Sequence, residues 1–96
     1  MLVLITYDVS TQDAGGAKRL RNVAKACVAH GQRVQNSVFE CLLSEAQFCE
    51  LRHRLEQLIE PESDSLRFYM LGNHYQSKVV HIGAKQTYAP EEPMII

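Results

Sequence analysis

An α+β domain with its elements in the order βαββαβ is the fold class that three features of this sequence predict. Leu2, Val3, Leu4 and Ile5 run in succession up to Tyr7 and Asp8, two stretches carry apolar residues at three-to-four-residue spacing, and the segments between them alternate or are rich in β-formers. That order is the split arrangement of a ferredoxin-like sandwich, an antiparallel sheet covered by two helices on one face. A chain of 96 residues has room for one such domain and one modest core.

The first strand, Met1 to Asp8, is apolar on both sides, which predicts a central strand buried on both faces. Its end delivers the Asp8 carboxylate to a loop, where α/β sheets tend to place chemistry. Ser10, Thr11 and Asp13 can each cap the helix that follows. Ala17, Leu20, Val23 or Ala24, Cys27 and Val28 set the helical period, so a helix is expected over residues 14–30, closed by a left-handed Gly31. Gly15 and Gly16 precede Lys18 but lack the GxxxxGK spacing of a phosphate loop, and they serve instead to let the loop pass close to the strand end. Residues 32–43 read as two short strands interrupted at Asn36 and Ser37, although one bulged strand also fits. Ser44 to Gln47 is a capping box, and Phe48, Leu51, Leu55, Leu58 and Ile59 form one stripe of a second helix that ends near Pro61. Leu66 to Leu71 alternates as a strand, and Lys78 to Ile82 reads as a further, short C-terminal strand. Residues 1–83 are thus the expected domain and 84–96 an extended tail. The apolar Met94, Ile95 and Ile96 at its end predict docking on a partner or on a second copy, making a two-fold homodimer.

Apolar residues make up 46% and charged residues 22%, which excludes disordered and low-complexity classes. The N-terminal apolar run is too short for a signal peptide or membrane span, so a cytoplasmic protein is expected. Cys27, Cys41 and Cys49 show no CxxC spacing and read as reduced, mostly buried thiols; the four histidines show no metal-ligand pairing. The net charge of -1 hides an asymmetry. Lys18, Arg19, Arg21, Lys25 and Arg33 face only three acidic residues in positions 1–40. Lys18, Arg21 and Lys25 fall on one helix face, which reads either as ordinary solvated surface or as a phosphate-binding patch.

Tyr7-Asp8 at the end of strand one, Arg33-Val34-Gln35-Asn36-Ser37-Val38-Phe39-Glu40 and the later Asp64-Ser65-Leu66-Arg67-Phe68-Tyr69 resemble the small CRISPR-associated family called "Cas two" over nearly the whole chain. The Gly-Gly-x-Lys-Arg-Leu helix opening and His-Ile-Gly resemble its subtype I-C branch. The resemblance implies a ferredoxin-like homodimer that joins the integrase "Cas one" in spacer acquisition. It also implies a divalent-metal-dependent endonuclease acting on duplex DNA or single-stranded RNA. Carried over residue by residue, Asp8 is the metal-binding and catalytic aspartate. Tyr7, Lys18, Arg19, Arg21, Arg33 and Phe39 are the nucleic-acid-binding residues.

Physical chemistry weighs these implications. Magnesium (or manganese) accepts one or two carboxylates, retained water and substrate phosphate, so Asp8 and its dimer mate facing each other suffice for a metal; the bland alternative is a strand-end cap. Duplex binding needs only cations along a groove, and Tyr7 and Phe39 would stack on bases if the substrate were single-stranded. Three readings follow: a metal-dependent nuclease, a non-catalytic DNA-binding scaffold for the integrase, and a regulator binding small molecules at its dimer interface, for which the sequence shows no polar constellation.

Overall fold

The computed structural model describes residues 1–83, which contain β1 (Leu2–Asp8), α1 (Gly16–Val28), β2 (Gly31–Gln35), β3 (Val38–Leu42), α2 (Glu45–Leu58) and β4 (Ser65–Gly72). The strands form one antiparallel sheet in the order β2-β3-β1-β4. This is the βαββαβ sandwich that the sequence predicts.

β1 occupies a central position, as expected, but beyond the fully buried Leu2 only one of its faces is sealed. Val3, Ile5 and Tyr7 are buried with Phe39, Cys41, Val23, Cys27, Leu51 and Leu55 in the core. Leu4 and Thr6, pointing to the opposite face, are half-buried. The reason is architectural: both helices lie on one side, so alternate residues of a strand meet different environments.

α1 begins at Gly16, two residues later than expected, and its N-cap Gly15 supplies no side-chain bond. The Asp13 carboxylate instead accepts the Gly15 N–H at 3.0 Å, fixing the loop ahead of the helix. At Gly16 a Cβ would collide with the Ser10 carbonyl and Thr11 backbone, so glycine is required by close approach. Gly31 does not close the helix in a left-handed conformation. It opens β2, buried where a Cβ would strike Cys41 and the Glu40 carbonyl, and the helix ends at Ala29 in ordinary helical geometry.

Residues 31–42 form two strands joined at Asn36 and Ser37, with an irregularity between Arg33 and Gln35. α2 starts with the full capping box: Ser44 accepts the Gln47 N–H at 3.1 Å and Gln47 accepts the Ser44 N–H at 2.9 Å. Phe48 meets Phe68 edge-on at 5.4 Å, tying α2 to β4.

The expected strand at Lys78 to Ile82 is a correction. Among the described residues these positions adopt no strand, because they lie over the open face of the sheet near Leu4, Val34 and Val38 and not beside an edge strand whose ladder could accept them. Val80 is 79% and Ile82 89% exposed there. The tail expected at 84–96 lies outside the described residues. Cys27 and Cys41 are buried, as expected of most of the cysteines, and burial pushes the pKa of each thiol up to about 12, so both are inert; Cys49 is exposed. No described helix is long and apolar enough to cross a membrane.

Candidate active site

Asp8 is the last residue of β1 and is exposed, paired in register with Ser65 of β4. No hydrogen bond or ion pair within the described residues occupies its carboxylate. It borders two depressions. One, a cleft of about 530 Å³ on the helix side, brings Asp8 together with Tyr7, Arg21 and Arg33. The other, of about 280 Å³, lies toward the open face with Thr6, Ser65, Arg67 and Tyr69. There the Arg67 guanidinium donates to the Tyr69 hydroxyl at 3.3 Å.

Register explains the aromatic part of the site. Ile5, Phe39 and Arg33 are successive cross-strand partners on β1, β3 and β2, so their side chains share one face. Phe39 is fully buried, and Arg33 sets its guanidinium over the ring at 5.1 Å from the centroid. Tyr7 stacks against the same ring at 6.2 Å and donates its hydroxyl to the Asn36 carbonyl at 3.3 Å. Burial raises the Tyr7 pKa, opposed by the Arg33 charge beside it. The expectation that Tyr7 and Phe39 stack on bases is therefore corrected: with Phe39 at 0% and Tyr7 at 5% exposure, neither ring has a face to offer. Their contribution is a rigid platform that orients Arg33.

The basic residues of α1 separate into two groups. Lys18, Arg21 and Lys25 are exposed, and Arg21 reaches the cleft. Arg19 is turned inward and committed. It donates Nε to Asp64 at 2.9 Å and both terminal nitrogens to Asp13 at 2.8 and 2.9 Å, with a further bond to the Ser10 carbonyl at 3.3 Å. Arg19 holds the Asp13 carboxyl below its usual range. Asp64, whose side chain is fully buried, also accepts the main-chain N–H groups of Ser10 and Glu60 at 2.9 and 2.8 Å. Arg19 and these donors lower its pKa to about 2. This clamp joins the loop after Asp8 to the residue before Ser65, its strand partner. Sequence reading missed the role of Asp64, since nothing local links it to an arginine 45 positions away.

Asp8 fits a hard cation as an exposed oxygen donor without a competing partner among the described residues. Among the described residues no cluster of three metal-ligating side chains exists, and Asp8 supplies the carboxylate that lines the two depressions. Such a site suits magnesium, which keeps much of its water, and not a metal that demands a full protein cage.

Taken together, the fold and cleft define a small α+β domain with a carboxylate and arginines at the end of its central strand. The chain belongs to the CRISPR-associated protein Cas2 family, whose family model matches residues 1–79. It is 60% identical over 95 residues to the CRISPR-associated endonuclease Cas2 of Halalkalibacterium halodurans, covering 99% of both chains. It is 56% identical over 96 residues to the CRISPR-associated endoribonuclease Cas2 of Nitratidesulfovibrio vulgaris, covering 100% of this chain and 94% of that one. The crystal structure of Streptococcus pyogenes Cas2 at pH 6.5 superposes with a TM-score of 0.75 at 55% identity, over 86% of this chain and 100% of that one.

Proposed function

We propose that this chain is a magnesium-dependent endonuclease of CRISPR adaptive immunity, hydrolysing phosphodiester bonds in duplex DNA as a two-fold homodimer. Manganese substitutes for magnesium in this reading. Single-stranded RNA is the second substrate, suggested by relatives that carry the name endoribonuclease. The protein serves spacer acquisition beside the integrase "Cas one", as the family resemblance implies, in the subtype I-C branch.

The observation that carries the reading is the Asp8 carboxylate, unpartnered among the described residues and sharing a cleft with Arg21 and Arg33. Asp8 would hold the metal together with the Asp8 of a second copy. A divalent ion held there would activate water and stabilise charge on the phosphoryl oxygens. Arg33, fixed on Phe39, and Arg21 orient the phosphate by charge-assisted hydrogen bonds. The exposed Tyr69, Val80 and Ile82, on the open face of the sheet with Leu4, are apolar surface that favours a second copy.

Cleavage of a duplex by the purified chain is the test. Magnesium and manganese are expected to support it, and calcium, larger and laxer in geometry, to support it poorly. Cleavage that persists unchanged in a chelator rejects the metal.

A non-catalytic scaffold is the second reading, favoured by the lack of any cluster of three metal-ligating side chains among the described residues. Both readings require sequence-independent, salt-sensitive binding. Replacing Lys18 and Arg21 by Ala should reduce the slope of log affinity against log salt by about 0.9 for each duplex phosphate that is no longer neutralised. Arg19→Ala, because its guanidinium is already committed to carboxylates, is expected to leave that slope unchanged. A titration series in which Arg19→Ala lowers the slope as much as Arg21→Ala does would show the clamp opening to bind DNA.

A further inference from the structure

The cleft beside Asp8 has features that phosphate binding does not use. One wall is apolar: Val9 is buried, and Leu20 and Ala24 are half-buried. Asn36 and Ser37 line the cleft from the β2–β3 turn. That turn is anchored by its main chain, since the Tyr7 hydroxyl donates to the Asn36 carbonyl at 3.3 Å and the Tyr7 N–H donates to the Ser37 carbonyl at 3.1 Å. The Asn36 side-chain amide and the Ser37 hydroxyl bond to no described residue. A preformed rim therefore presents an amide and a hydroxyl, each able to donate and to accept.

The volume of about 530 Å³ falls among those of small-molecule sites, roughly 300–1,000 Å³. Phosphate alone needs neither that volume nor an apolar wall, because Arg21 and Arg33 bind it equally well on an open surface. A paired base within a duplex cannot use the wall either, as both its faces are stacked on neighbours. An unpaired nucleotide uses every feature: its phosphate meets the arginines, its base face lies on Leu20 and Ala24, and its base edge meets Asn36 and Ser37.

We propose that this cleft receives one unpaired nucleotide, at a single-stranded end or extruded from the duplex, next to the phosphodiester bond that reaches Asp8. The position of that bond rests on the nuclease reading; the binding of the nucleotide does not. Because the amide and hydroxyl each serve as donor and acceptor, the cleft selects an unpaired base without selecting its identity. The preferred substrate is then a duplex with a frayed or overhanging end.

The test uses the full chain with Asp8→Asn, free of metal, so that no cleavage is read. A blunt duplex, the same duplex with a short single-stranded overhang, and the single strand are titrated by fluorescence anisotropy. A fluorescent purine that brightens when unstacked is placed in the overhang. The overhang is expected to bind about tenfold more tightly than the blunt end, with brightening. Ala24→Phe, which fills the apolar wall without changing charge, should abolish the brightening and that advantage while leaving blunt-duplex affinity unchanged. Asn36→Ala, at an exposed turn whose anchoring bond is made by the main chain, should lower overhang affinity several-fold and keeps the test valid should Ala24→Phe misfold. Equal affinity for all three nucleic acids without brightening overturns the proposal, as does an overhang advantage that survives in folded Ala24→Phe or in Asn36→Ala. The nuclease reading fails separately, if the parent chain with magnesium cleaves none of the three.

Discussion

Asp8→Asn is expected to reduce cleavage by at least about a hundredfold, a loss of about 2.7 kcal/mol of transition-state stabilisation, while leaving the fold intact. Asparagine preserves the size and one oxygen of the side chain but removes the charge that a hard cation requires. Asp8 is exposed and its side chain anchors no described neighbour, so its removal leaves no buried donor unsatisfied and the thermal midpoint should stay within error. In a two-fold dimer each substitution acts twice, removing two negative charges from beside the phosphates. Duplex affinity in the absence of metal should then rise slightly. The two proteins must be purified identically and assayed side by side with magnesium, since trace nuclease imitates weak activity. Equal cleavage by both would leave Asp8 without a catalytic role and make the scaffold the better account.

What could be read from the sequence was what short-range physics decides. The Ser44 capping box, the break at Asn36 and Ser37, and the helical stripe through Leu51 and Leu55 each involve residues a few positions apart, and each stands where expected. Asp8 at an exposed strand end followed from the apolar run before it. Features set by tertiary pairing were not legible in the same way. Lys78 to Ile82 read as a short strand, yet a strand exists only where an edge runs alongside to pair with it, and the chain carries these residues over the sheet face instead. Tyr7 and Phe39 carried a base-stacking reading until the register placed Arg33 across from Phe39 and burial sealed both rings. Arg19 looked like one cation among several along α1. Only the fold brings it against Asp13 and Asp64, which removes it from the surface available to phosphate.

That clamp carries the largest stability effect expected. Asp64 is a fully buried carboxylate that accepts from Arg19 Nε, the Ser10 N–H and the Glu60 N–H, so its donors converge from three separate segments. Asp64→Asn keeps the shape, but turns an NH₂ group toward one or more of those donors and leaves the guanidinium without its buried counter-charge. The expected loss is on the order of 2 to 4 kcal/mol in urea unfolding at neutral pH. Arg19→Ala should cost less, because the carboxylate retains two main-chain donors. The pH dependence distinguishes the charge from the packing. The folded carboxyl has a pKa of about 2, below its ordinary value of 3.8, so its contribution is fully present above about pH 4 and is lost as pH falls toward 2. The parent protein should therefore lose stability across that window faster than Asp64→Asn, and the two curves should converge at its acid end. Parallel curves would mean that the carboxylate charge contributes nothing. Because Asp64 directly precedes Ser65, the strand partner of Asp8, and binds the loop that follows Asp8, the variant should also cleave more slowly at temperatures where it remains folded. Arg19→Lys, which restores one donor and the charge but not the two-carboxylate fork, should recover part of the stability and less of the cleavage.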